Sequence, residues 1–357
     1  MNKKIKILLI SSSTGGHAIP VLELARGLNE DGNWQCKIVH SGSDVENKLF
    51  SNYTSVVLKS GKIHRHQWIR NIYEGLKILV ALIRSLWILL SFRPKLIFSK
   101  GGFNSVPLLF WARLLGITYY LHETDSEMGV ANKMFYQSAK TAFVSFPVEQ
   151  YMLDKSKLTY SGFIVRDFPK PRKNDGLPIL LVLGGSQGAH AINEVVLSIL
   201  PELLEKFIVV HATGSPDREL AEKAAGSLDS KLRERYLYFS FSLEKVEEFM
   251  PQADLVLTRA GGTIADIAQL KKASILVPYP YAASDHQTKN AKYLEKAGGA
   301  ILIKQENLNA KSLLERIAFI MSNPRNKQII GENAARVLKV DGKRFIINQF
   351  KKNLDIS

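Results

Sequence analysis

Twice in 357 residues a run of β-formers breaks on small residues and resumes as a helical pattern. KIKILLI passes through SSSTGGH into AIPVLELARGL, and PILLVL passes through GGSQG into AHAINEVVLSIL. A strand that gives way to a glycine turn and then a helix leaves backbone N–H groups unpaired at the positive end of a dipole. Glycine lets an anionic ligand approach them closely. After the first such unit come CKIVHSG, KLIFSKGG, TYYLHE and AFVSF; after the second come FIVVHATG, LYFSFS, ADLVLTRAGG, SILVPYP and AILIK, with helical patterns between. Strands alternating with helices predict βαβ units and parallel sheets. The stretch GFIVRDFPKPRKNDGLP, residues 162–178, has lost both periodicities and reads as a linker. Two α/β halves are expected, with ligands at the carboxyl ends of both sheets, in a cleft where the halves face each other.

Length supports two domains. The formal net charge of +15 points to a polyanionic partner: nucleic acid, an anionic membrane face or phosphorylated substrates. Nucleic acid is disfavoured, because the aromatic residues lie in apolar runs instead of alternating with basic ones. The single Cys36 excludes a disulfide framework and a cysteine zinc site. MNKKIKILLISSS has too short an apolar run for a signal peptide and reads as a first strand. Residues 61–100 carry Lys62, Arg65, Arg70, Lys77, Arg84, Arg93, Lys95 and Lys100 against one acid, Glu74. Within them GLKILVALIRSLWILLSF spaces Lys77, Arg84 and Ser91 seven apart on an otherwise apolar helix, interrupted too often for a clean spanning segment. The helix is either a core helix of the first half or one that partly meets a bilayer, and both hold if it packs inward with its exposed end on lipid, where each nearby basic residue adds about 1 kcal/mol on an anionic leaflet.

Neither glycine loop is G-x-G-x-x-G and neither has a P-loop lysine, which counts against dinucleotide binding and ATP hydrolysis. His17, beside Thr14, Gly15 and Gly16 at the start of a helix, is either a neutral base or a histidine bonded to its own loop. Arg259-Ala260-Gly261-Gly262-Thr263-Ile264-Ala265-Asp266 ends a further strand. Thr263 with Asp266 reads as a capping box or, alternatively, as a phosphate turn with an acid for ribose hydroxyls. Ser284 to Asn290 starts another helix with amide side chains on it. The absence of a D-x-D pair means that no metal is demanded.

In order along the chain, TGGHAIP, KGGFNSVP, LHETDSEMGVANK, GFIVR, GGSQGAHAINE, RAGGTIADIA and DHQTKNAKYLEKAGGA resemble the MurG family over nearly the whole length. That resemblance implies the GT-B glycosyltransferase fold, two Rossmann-like domains facing across a cleft. It implies an N-terminal acceptor- and membrane-binding domain, 1–163, a C-terminal UDP-GlcNAc-binding domain, 164–340, and a last helix, 341–357, packed back on the first. The implied reaction is inverting transfer of N-acetylglucosamine from UDP-GlcNAc to lipid I, giving lipid II for peptidoglycan, at the cytoplasmic face of the membrane, without metal. Other cell-wall synthesis proteins are implied as possible partners.

Carried across by motif, the acceptor side takes Thr14, Gly15 and Gly16 with His17, then Asp125 and Asn132 in the segment after His122 and Glu123. The donor side takes Arg166, Ser186 and Gln187 for diphosphate and sugar. Gly261, Gly262, Thr263 and Asp266 serve α-phosphate and ribose, Leu243 the uracil, and Gln287 and Asn290 the sugar hydroxyls. His17 is the first candidate base and Glu123 the second. Ser12 and Ser13 stand where the family has further glycines, and Asp266 where it has glutamate. A glycolipid glycosyltransferase acting on diacylglycerol is the alternative. A UDP-GlcNAc 2-epimerase would share fold and donor without needing the apolar basic helix.

Overall fold

The computed structural model describes residues 4–12, 15–61, 68–172, 176–185 and 188–355. Its contacts divide the chain into two units: Met1–Arg166 with Asp341–Ser357, and Asp167–Val340. In the first unit the strands are β1 (Ile5–Ile10), β2 (Trp34–His40), β3 (Ser55–Val57), β4 (Leu96–Ser99), β5 (Thr118–Glu123), β6 (Thr141–Val144) and β7 (Leu158–Tyr160). The helices among them are α1 (Gly15–Asp31), α2 (Asp44–Leu49), α3 (Trp68–Phe92), α4 (Ser105–Leu114) and α5 (Val130–Phe135). All seven strands run parallel in the order β3-β2-β1-β4-β5-β6-β7.

The second unit holds β8 (Ile179–Leu183), β9 (Ile208–Ala212), β10 (Tyr236–Phe239), β11 (Leu255–Thr258), β12 (Ala273–Leu276) and β13 (Ile301–Leu302). Around them lie α6 (His190–Ser198), α7 (Leu200–Lys206), α8 (Arg218–Gly226), α9 (Ser230–Arg233), α10 (Leu243–Phe249) and α11 (Thr263–Gln269). They are followed by α12 (His286–Lys296), α13 (Ala310–Met321) and α14 (Pro324–Val337). The sheet order is β10-β9-β8-β11-β12-β13, again all parallel. Parallel strands covered by helices on both faces are apolar throughout, and β8 (ILLVL) is buried at every residue.

In both sheets the winding reverses beside the first strand. The reversal lies between β1 and β4 in one unit and between β8 and β11 in the other, with Ile10 opposite Ser99 and Leu183 opposite Thr258. At such a point neighbouring loops diverge to opposite faces and leave a crevice at the carboxyl ends of the strands. The glycine stretches singled out in the sequence emerge at these two points.

The boundary between the units falls at 166/167, so residues 164–166, expected in the second half, belong to the first. Burial explains it: Ile164 joins the core around Phe98, Tyr120 and Phe143, and Phe163 meets Phe146 edge-on. The last helix, α15 (Gly342–Asn353), also packs in the first unit. Its Phe350 is fully buried against Trp34, Phe98, Tyr120 and Phe143, and its Lys351 pairs with Asp31 at 2.9 Å.

The expectation of a core helix for residues 75–92 needs correction. Among the described side chains α3 buries only Glu74, Ala81, Ser85, Ile88, Leu89 and Phe92, while Trp87 is 71% exposed. Leu76, Leu79, Val80, Ile83 and Leu90 are also more than half exposed. Glu74–Phe92 is also long and apolar enough to cross a membrane by length and composition, despite Lys77 and Arg84. Its buried face is occupied by α4, whose Trp111 donates Nε1–H to the Leu82 carbonyl at 2.9 Å.

Candidate active site

In the first unit the loops after β1, β4 and β5 interlock. Gly102, at φ +82°, lets its loop lie against Ser12; a side chain added there would overlap the serine and come 3.7 Å from His17 Cε1. Gly101, at φ +83°, lies against Asn132 in the same way, where an added Cβ would be 2.7 Å from Oδ1. Both positions demand the left-handed backbone that glycine adopts without steric cost. His17, third residue of the 17-residue α1, is thereby held beside the β4 loop.

The segment after β5 is organised by Glu123. Its Oε1 accepts from the Thr124 and Asp125 amides at 3.0 and 3.2 Å. Its Oε2 accepts from the Gly129 amide at 2.9 Å and from Asn132 Nδ2 at 3.0 Å. Burial pushes this carboxyl above its ordinary value, with the nearby Asp125 charge adding and Lys100, Gly129 and Asn132 opposing. With both oxygens taken by four donors, the carboxylate works as the internal frame of the loop carrying Asp125 and Asn132. Asn132 also donates to the His122 carbonyl at 3.2 Å. Arg166 is buried at the end of this unit.

Behind the loop lies a contact that motif reading does not reveal. The buried Lys100 ammonium donates to His122 Nδ1 at 2.8 Å and to Thr124 Oγ1. Burial holds the His122 imidazole well below its ordinary value, and the Lys100 charge adds to the effect.

In the second unit, Gly188 (φ +79°) brings the loop after β8 onto the end of β9, where a Cβ would sit 2.7 Å from the Thr213 carbonyl oxygen. A buried network supports that loop. Asn193 Nδ2 donates to the Thr213 carbonyl and to Asp217 Oδ2, both at 2.7 Å. Asn193 Oδ1 therefore accepts from His211 Nε2 at 2.9 Å, and His211 Nδ1 is left to accept from the Tyr236 hydroxyl at 3.0 Å. Burial lowers His211 to about 4, in keeping with this neutral tautomer.

The turn after β11 meets α12. Asn290, buried, donates to the Ala260 carbonyl at 3.0 Å, and Gln287 Oε1 accepts from the Tyr279 amide at 2.9 Å. Arg259 bonds the Val277 and Pro278 carbonyls at 3.0 and 3.2 Å and lies over the Tyr279 ring. A side chain at Gly185, Gly261 or Gly262 would meet nothing within 4 Å, so these turns face open space. Gly262, not Thr263, is the N-cap of α11, with no side-chain cap bond. Thr263 thus occupies the first helical position and Asp266, buried, the fourth; the expected capping box does not form because it needs the cap and third positions. Leu243 opens α10, capped by Ser242, whose Oγ accepts from the Lys245 amide at 3.2 Å.

Of the residues proposed from sequence, the structure joins His17 to the Gly102 loop, Glu123 to Asp125 and Asn132, Asn290 to Ala260 beside Gly261, and Gln287 to Tyr279 after β12. Thr14, Ser186 and Gln187 lie outside the described residues. Among the described residues no group of three His, Cys, Asp or Glu side chains could hold a metal ion.

Residues 7–144 match the glycosyltransferase family 28 N-terminal domain and residues 179–346 the family 28 C-terminal domain. A Clostridium perfringens protein named UDP-N-acetylglucosamine–N-acetylmuramyl-(pentapeptide) pyrophosphoryl-undecaprenol N-acetylglucosamine transferase is 32% identical, over 98% of this chain and 99% of its own. The chain belongs to the MurG family of glycosyltransferases. A Bacillus cereus member with the same descriptive name, numbered 2, is 31% identical over 89% of this chain and 92% of its own. In structure, Acinetobacter baumannii MurG covers 98% of this chain and 100% of its own at TM-score 0.74 and 23% identity. UDP-GlcNAc 2-epimerase from Neisseria meningitidis reaches TM-score 0.68 at 12% identity, covering 98% of this chain and 100% of its own. These likenesses show a GT-B-type fold of two Rossmann-like parallel-sheet domains, which the MurG family shares with enzymes of other chemistry; the sequence relatives carry the membership.

Proposed function

We propose that this protein transfers N-acetylglucosamine from UDP-GlcNAc to the 4-hydroxyl of the muramyl sugar of lipid I, with inversion, forming lipid II. The match at near full length to relatives named for that reaction carries the proposal. In the mechanism, His17 takes the proton of the acceptor hydroxyl as its oxygen attacks the anomeric carbon. The bond from that carbon to the β-phosphate oxygen breaks, and UDP departs with the electron pair. The N-terminal end of α1 favours the neutral imidazole that a base must be. Glu123 is the weaker candidate, because its oxygens are already engaged by four loop donors, and its role is to hold Asp125 and Asn132 in place.

The donor's diphosphate charge is met by the glycine turns after β8 and β11, with Ser186, Gln187 and Thr263, and no metal is needed. Asp266 holds the ribose, the backbone near Leu243 the uracil, and Gln287 and Asn290 the sugar hydroxyls. The enzyme sits peripherally on the cytoplasmic face of the membrane, its exposed α3 side chains in the headgroup region and Arg84, Arg93, Lys95 and Arg113 on anionic lipid.

Purified protein given radiolabelled UDP-GlcNAc with lipid I or with diacylglycerol in detergent is expected to label only the lipid I product. Label confined to the diacylglycerol product would replace this reading with the glycolipid alternative. His17→Asn is expected to lower kcat by about 10²-fold or more while leaving the KM for UDP-GlcNAc near its starting value.

A further inference from the structure

Lys100 is a buried cation to which the mechanism above assigns no part. It follows β4, its amide donating to the Ile10 carbonyl at 3.1 Å, and it is only 3% exposed. An ammonium has three donors and no acceptor. Its contact with His122 Nδ1 is a hydrogen bond only if that nitrogen presents its lone pair. The ring is then neutral and carries its proton on Nε2, which faces the Gly162 carbonyl at 3.5 Å and Ser145 Oγ at 3.4 Å. Thr124 Oγ1 accepts a second ammonium proton, and the Glu123 and Asp125 carboxylates supply the opposing charge. The next two residues, Gly101 and Gly102, press on Asn132 and on Ser12 beside His17. One short segment thus grips the loop of Asp125 and Asn132 and touches the loop of the base.

We propose that Lys100 is a positioning residue for the acceptor side of the site, pinning the neutral His122 and the segment from Thr124 to Asn132 against the β4 loop next to His17. The inference rests on the transfer reaction proposed above. Burial drives the ammonium down to about 8, against the raising pull of Glu123 and Asp125, so the grip weakens in mildly alkaline solution. The groups facing it are His122, Thr124, Glu123 and Asp125, and His17 in turn acts electrostatically on His122.

The test compares wild type with Lys100→Met, which keeps the length and loses charge and donors, and Lys100→Gln, which keeps a donor. Lys100→Met is expected to lower kcat/KM for lipid I by about tenfold to a hundredfold, with Lys100→Gln intermediate and the KM for UDP-GlcNAc within about twofold. The fall in wild-type kcat/KM above about pH 8 should vanish in both variants. Wild-type rates and pH profile in Lys100→Met would overturn the proposal; if that variant does not fold, Lys100→Gln decides on the same readouts. A second measurement does not depend on turnover: nitrogen NMR of histidine-labelled protein, with the His122 signals assigned by their loss in His122→Gln. A ring protonated on Nε2 in wild type, altered in Lys100→Met, where Nδ1 loses its donor, is expected, and a ring protonated on Nδ1 in wild type would overturn the proposal. If wild type transfers no sugar, the reaction fails while the NMR still judges the Lys100 contact.

Discussion

Gly102 shows how much one missing methyl group can matter here. Its backbone is left-handed at φ +82°, and the space where a side chain would stand is filled by Ser12. Gly102→Ala therefore incurs two separable costs, about 1 kcal/mol for the backbone and a comparable or larger one for the overlap. The double variant Ser12→Gly/Gly102→Ala should recover only the second, a coupling readable in urea unfolding midpoints by a double-mutant cycle. Additive effects of the two changes would contradict the packing described. Ser12 thus adds a steric demand to the backbone demand that already favours glycine at 102. Nothing in SSSTGGH or SKGG announces that dependence, because the two loops meet only once β1 and β4 are neighbours.

At the level of elements, the strand–turn–helix units were legible because they are local: an apolar run, small residues and a new periodicity follow one another within about 20 residues. The contacts that give these turns their shape were not. His211 sits in IVVHA, where an apolar run hides a buried histidine, and its partners Asn193 and Tyr236 come from α6 and β10. Likewise Lys100 meets His122 only through the pairing of β4 with β5, in which Ser99 stands opposite Leu121. The Thr263–Asp266 spacing suggested a capping box because sequence shows the interval and not the residue at which the helix begins. Because His211 is neutral when folded, with its value lowered from 6.5 to about 4, the unfolded chain binds the extra proton between those values. Its contribution is whole above about pH 6.5 and is lost as the pH falls to about 4, amounting to about 3 kcal/mol. The urea midpoint of the second unit should fall across that window, and His211→Gln should flatten the fall; an unchanged slope would argue against the network.

On the scale of the whole molecule, the proposed membrane contact combines the +15 charge with the exposed face of α3. Ile83 and Trp87 stand one turn apart on that face, with Phe110 and Leu114 of α4 also exposed. Replacing both Ile83 and Trp87 with glutamate should reduce binding to vesicles containing phosphatidylglycerol by about 10²-fold, through lost apolar burial and added like charge. In flotation assays the variant should stay with the soluble fraction while retaining transfer to a water-soluble acceptor. Retained flotation would move the membrane contact elsewhere. Sequence analysis anticipated the helix and its cations but underestimated its exposure, because composition alone does not say which helix face a sheet covers.

The return of α15 to the first unit has a consequence for how the chain is made. Phe350 fills a slot among four aromatic rings, yet the ribosome delivers it only after all of residues 167–340. During translation the earlier-made sheet must wait with that slot open, while the later unit is contiguous and free to fold at once. Release of a nascent chain short of residue 350 would leave a greasy hole on its surface, a mark by which chaperones and proteases distinguish unfinished copies from finished ones.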